Sequence, residues 1–235
     1  MGRHHPAATC VAAASAPVPA ARVVRGATLR AAPWKNAGGV TREIAAYPVG
    51  ASLETFVWRA SVADIERAGP FSRFPGIDRT LVLLAGAGMH LTQARGRTHA
   101  LLQPLAIARF DGDSALDAQL VDGATRDFNL MFRRDRAKAT LEIWEGADAR
   151  TRNLDGDAAL VFCARGALDV RLSAMPASDP THAMQATQVT QVTQVTQVTQ
   201  VTLAWMDTLV LDAPRDLACE MTGEGAAIAV LIRYT

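Results

Sequence analysis

The chain has 235 residues, 49% hydrophobic and 20% charged, with 24 basic against 23 acidic side chains and a formal net charge of +1. That length can bury one large core or two small ones, and the composition is that of a globular protein. The near-neutral balance carries no basic stripe, which argues against nucleic-acid binding, and no run of about 18 apolar residues exists, which excludes a membrane-spanning helix.

Residues 1–21 open with Arg3, His4 and His5 and an alanine-rich stretch closed by Pro17 and Pro19. They lack the Leu/Ile/Val core of a secretion signal and are expected to be a disordered extension. Beyond them, long helical periodicity gives way to short apolar runs bounded by Gly, Pro and Asp, the pattern of an all-β protein. Strands are expected over 22–30, 40–47, 56–64, 80–84, 89–93, 105–110, 118–120, 127–133 and 139–144. A second series follows at 159–164, 168–172, 201–206, 208–211 and 226–234, and a short helical turn is expected within 65–74. The two series echo each other. The run from Asp78 to Ala85, then Gly88, resembles Asp157 to Ala164, then Gly166; Leu105-Ala106-Ile107 resembles Leu203-Ala204-Trp205. This order suggests a duplicated β unit, with residues 22–138 as the first copy and 139–235 as the second. Within 185–202, five copies of Gln-Val-Thr have a period that suits neither strand nor helix, so a loop of variable length is expected there.

Cys10, Cys163 and Cys219 are widely spaced and form no metal-type pair, which fits a reducing cytoplasm. The five histidines show no ligand spacing, so no metal and no cofactor is expected. Gly86-Ala87-Gly88 reads as a hairpin, since no helix follows it.

Three stretches concentrate polar chemistry. Trp34-Lys35-Asn36-Ala37-Gly38-Gly39 sets an aromatic, a cation and an amide on a turn that glycine permits. Phe56–Ala63 alternates, so Arg59 and Ser61 share one face; Asp127–Arg133 does likewise with Asp127, Asn129, Met131 and Arg133. Gly69–Arg79 holds two prolines and two phenylalanines before Asp78 and Arg79, and arginine's forked donors suit planar carboxylates. Each stretch also has a plain structural reading: a hairpin with a core Trp, half-exposed strands, a loop pinned by an Asp–Arg pair.

Together these segments, W-K-N-x-G-G-V-T-R-E-I-A, F-x-W-R-x-S-x-A, G-P-F-S-x-F-P-G-I-D-R, F-x-G-D and D-F-N-L-M-x-R-R, resemble the HutD/Ves family in content and order. Ala37 departs from the third glycine the family often carries. The resemblance implies an all-β fold of two cupin-type β-barrel units in one chain, a bicupin, and an association with histidine utilisation. The expectation is a metal-free protein whose first barrel binds a small carboxylate through Trp34, Lys35, Asn36, Arg59, Ser61, Arg79 and Asn129. Urocanate or a formimino- or formyl-glutamate is the natural ligand on that association, in a sensing or regulatory role. The alternative is a metal-independent isomerase or hydrolase with His99, Lys35 or Asp127 as general base. No nucleic-acid or membrane partner is expected, and a homodimer is left open.

Overall fold

A computed structural model describes residues 20–94, 96–148, 150–174 and 199–235. The extension expected over 1–21 lies outside the described residues except for its last two, which begin a strand. Among the described residues the chain is all β, with a single 3-10 turn at Gly26–Thr28 and no α-helix.

The first half forms a six-stranded sheet in the order β2 (Ala31–Pro33), β3 (Gly39–Tyr47), β4 (Trp58–Ile65), β11 (Thr125–Arg133), β6 (Ile77–Ala85) and β9 (Ile107–Asp111). A four-stranded sheet, β5 (Gly69–Pro70), β10 (Leu116–Leu120), β7 (Met89–Gln93) and β8 (Thr98–Leu101), closes against it as a barrel. Leu81, Leu83 and Phe110 from one sheet pack with Met89, Leu91 and Leu101 from the other. The second half has a five-stranded sheet of β1 (Ala20–Val24), β17 (Thr208–Asp212), β14 (Ala158–Arg165), β19 (Ala226–Tyr234) and β12 (Ala137–Glu145). Its partner sheet is β13 (Arg152–Leu154), β18 (Leu217–Thr222), β15 (Ala167–Ala174) and β16 (Thr199–Ala204).

The duplication extends to the register. The order β4-β11-β6-β9 returns as β12-β19-β14-β17, and β5-β10-β7-β8 returns as β13-β18-β15-β16. In each middle strand one residue is skipped by a bulge, Leu84 in β6 and Ala164 in β14. The backbone N–H of Leu105 donates to Leu83, and that of Met206 to Cys163. Both Leu105 and Met206 sit at positive φ, 66° and 68°. Leu83 therefore corresponds to Cys163, one residue from the match the sequence echo suggests, and Leu105 to Met206 rather than Leu203. Sequence similarity between the copies is too weak to place the bulges, and a slip of one residue reverses every side chain's face.

Three expected elements differ. The strand expected over 22–30 breaks after Val24: β1 crosses to the second half and pairs with β17 from Ala20–Asp212 to Val24–Thr208. Asp207 holds the crossing, accepting from Arg25 at 2.6 Å and from the Gly26 amide at 2.9 Å. No helical turn forms in 65–74, because the amides of Phe71 and Phe74 donate to Leu116 and Gly112, which draws this segment to the sheet. The Gln-Val-Thr tract is not loop throughout. Its last four residues, Thr199–Thr202, are strand in β16 and pair with β15, and residues 185–198 lie outside the described residues.

The outer face of the six-stranded sheet packs on the five-stranded sheet. Trp58, Ala60, Val62, Phe128 and Leu130 meet Leu160, Phe162, Ile228 and Val230, with the Phe128 and Phe162 rings 5.1 Å apart. A fully buried Phe contributes about 1.5–3 kcal/mol, so this seam joins the halves firmly. It also uses up one face of β4 and β11, which directs their alternate residues into the first barrel.

Candidate functional site

Three rows of side chains cross that inward face. The register sets Arg59, Met131 and Arg79 side by side on β4, β11 and β6; the next row is Ser61, Asn129 and Leu81; the third is Ala63, Asp127 and Leu83. Arg59, Ser61 and Asn129, expected from alternation, and Arg79, expected from the Gly69–Arg79 stretch, are thus brought together.

Arg79 is 6% exposed. Its guanidinium lies 5.2–5.4 Å from the ring centres of Phe71, Phe74 and Phe110, one donor reaches the Ser72 carbonyl at 3.4 Å, and Nε has no partner among the described residues. Burial lowers its pKa to about 10, with Asp127 opposing and Arg59 reinforcing the shift. An aromatic cage stabilises a cation by roughly 0.5–2 kcal/mol, but it leaves the in-plane donors free for a ligand. Arg59 is engaged, its Nε donating to Glu43 at 2.7 Å and a second donor reaching the Ser61 hydroxyl at 3.4 Å. Among the described residues Asn129, 8% exposed, has no partner for Oδ1, and neither carboxylate oxygen of Asp127, 1% exposed, has one. Burial raises the Asp127 pKa to about 7, offset in part by Arg79 and aided by Asp64. His99 in β8 tilts toward Phe110 at 6.0 Å, its Nε2 is also unpartnered, and burial together with Arg97 lowers its pKa.

The second barrel shows what this architecture requires. By register, Ala159 stands in place of Arg79, Ala227 of Asp127, Ala229 of Asn129 and Trp144 of Ala63. There Trp144 packs with Leu154, Val161, Leu168 and Leu209 in an apolar core. The same fold thus closes with no buried charge at these positions. The polar set of the first barrel is a local addition, destabilising unless something pairs with it.

The tip residues sit apart. Trp34 packs on the apolar floor of the barrel and its indole donates to Thr41 at 2.7 Å. Asn36 caps its own turn, accepting from the Gly38 amide at 3.0 Å. Lys35 is exposed, and its charge bears on the exposed Glu54. Trp34 and Asn36 border a cavity of about 100 Å³ with Arg67, Pro70 and Phe71, and Phe71 is shared with the Arg79 cage. A larger cavity, about 330 Å³, lies at the junction of the halves near Leu105 and Trp205; Arg165 is its one charged lining residue and it lacks converging polar groups. The buried polar set, whose unpaired groups converge on one sheet face, is therefore the stronger candidate. Sequence reasoning missed Glu43 as the partner of Arg59 and the three rings around Arg79. Glu43 lies two residues after Thr41 on one strand face, and that spacing was a usable signal. Among the described residues no group of three or more His, Cys, Asp or Glu side chains is placed to hold a metal ion.

The HutD family model matches residues 26–229. The chain belongs to the HutD family. It is 42% identical over 114 residues to an uncharacterized 21.2 kDa protein in the hutC 3' region of Pseudomonas putida, covering 48% of this chain and 59% of that one. It is 42% identical over 113 residues to protein Ves of Escherichia fergusonii, covering 47% and 56%. The chain thus spans under two thirds of the length of these two curated relatives. The solved HutD of Pseudomonas fluorescens SBW25, described as a formate condition, is 29% identical with a TM-score of 0.73, covering 92% of this chain and 100% of that one. An oxalate decarboxylase of Lactobacillus farciminis, 8% identical with a TM-score of 0.56, shares the fold alone. The chain is therefore built of two cupin-type β-barrel units, as the repeated strand order indicates.

Proposed function

We propose that the first barrel binds a small carboxylate metabolite without a metal, in a sensing or regulatory role tied to histidine utilisation in the cytoplasm. Urocanate and formimino- or formyl-glutamate are the ligands that role implies. The observation that carries this reading is Arg79: a buried cation, caged by three rings, with an unpartnered donor, where the duplicate barrel has alanine. A carboxylate would answer Arg79 and compete with Glu43 for Arg59. The hutC-region relative supports the pathway link.

The test is calorimetric titration of urocanate into the protein and into Arg59→Ala. Losing one charged hydrogen bond costs roughly 1.5–3 kcal/mol, a tenfold to 150-fold weaker Kd. Unchanged affinity would remove Arg59 from the site. A second reading, turnover of such an acid, is favoured by Asp127, whose pKa near 7 suits a general base. Sustained conversion of urocanate seen by mass spectrometry, and lost in Asp127→Asn, would establish it.

A further inference from the structure

We infer that Asp127 determines the specificity of this site: it selects acids that present an N–H donor, such as an imidazole or amidine, away from their carboxylate, and rejects acids with a second carboxylate there. This rests on the carboxylate reading above. The site is bipolar. Cations stand in the Arg59–Met131–Arg79 row, while the acceptors Asn129 Oδ1 and both Asp127 oxygens stand one and two rows further in. Four residues of strand separate Met131 from Asp127, roughly 13 Å, which the long arginine side chains shorten.

None of these acceptors is satisfied among the described residues. Arg79 and Asp127 shift each other's charge yet neither is the other's hydrogen-bond partner, since Arg79 Nε and both Asp127 oxygens remain unpaired. Buried acceptors without donors are unfavourable, so the complement of this end is a donor. A second carboxylate would instead lie beside Asp127, with Arg79 from β6 opposing that charge, while Asp64 of β4 is held in ion pairs with Arg42 and Arg126. Asn129 alone would accept from any amide; the carboxylate of Asp127 adds preference for a donor that bears positive charge. In the duplicate barrel Ala227 occupies this position, so the fold does not call for an acid here.

The experiment titrates three acids, imidazole-4-propionate, glutarate and valerate, into the parent protein, Asp127→Asn and Arg59→Ala at one pH above 7. The inference expects the imidazole acid to bind the parent at least tenfold more tightly than either other acid. Asp127→Asn, which keeps the side chain's shape, should weaken the imidazole acid at least tenfold, leave valerate within about twofold, and improve glutarate. Equal effects of Asp127→Asn on all three acids, or glutarate as the parent's best ligand, would overturn it. Arg59→Ala should weaken all three alike. If the parent binds none of them, the carboxylate reading itself fails. Circular dichroism of each variant identifies any loss through misfolding, and Asp127→Ser then repeats the comparison.

Discussion

Replacing Asp127 by Asn removes an ionisable group from one of the driest positions in the first barrel. In the folded chain the pKa of Asp127 is raised from 3.8 to about 7, with burial as the leading cause, Arg79 opposing it and Asp64 adding to it. Unfolded, the same carboxyl loses its proton near pH 4. Between those values the native state holds a proton that the unfolded state has released, so this residue's contribution to stability falls as pH rises. The slope is about 1.4 kcal/mol per pH unit, and three pH units set a ceiling of about 4 kcal/mol. Relaxation and water entry reduce such penalties, so roughly 1–3 kcal/mol is expected. Asn keeps the shape and never ionises. Ligand-free Asp127→Asn should therefore match the parent near pH 4 and exceed it by that amount at pH 8. In a domain of this size about 1 kcal/mol moves Tm by 2–4 °C, so the variant should melt roughly 2–12 °C higher at pH 8. The assay is paired thermal denaturation from pH 4.5 to 8. A Tm difference that does not grow with pH would refute the account of a buried, unpaired carboxyl.

Other outcomes follow from single contacts. A Cβ at Gly39 would lie 2.2 Å from the Asp64 carbonyl oxygen, so Gly39→Ala should lose at least about 2 kcal/mol in urea denaturation by forcing β3 from β4. Ala37 holds φ at 51°, a left-handed conformation that costs a side chain about 1–2 kcal/mol; Ala37→Gly should gain up to about 1 kcal/mol after the glycine's unfolded-state entropy is subtracted. Leu203, fully buried where the repeat tract meets the second core, should cost about 2–5 kcal/mol as Ala, whereas Thr202→Ala on the exposed side of β16, which loses one exposed hydrogen bond to Asp169, should cost no more than about 1 kcal/mol in the same assay.

Strand alternation was legible where a residue pair is long and chemically uniform. Expected strands at 89–93 and 226–234 coincide with β7 and β19, and the face of 127–133 read as Asp127, Asn129, Met131 and Arg133 is the one that meets Leu83, Leu81, Arg79 and Ile77 of β6. The missed strands, β2, β5, β8, β13 and β18, are short or mix polar and small residues, and they exist because a neighbour pairs with them. Lys35 shows the limit at the site. Its neighbours Trp34 and Asn36 border a cavity, yet the turn carries Lys35 to solvent, and spacing gives no clue to the direction of a side chain on an irregular turn.

By itself the amino-acid sequence determined that the chain is all β, that it carries two related units, and which residues share a strand face, because these follow from local periodicity and from order along one chain. Only the tertiary structure decided that β1 joins the far sheet, that bulges offset the two copies by one residue, and that Phe71, Phe74 and Phe110 enclose Arg79 while Asp127 is left without a donor. Those facts depend on which distant segments meet, and on how much water their meeting excludes.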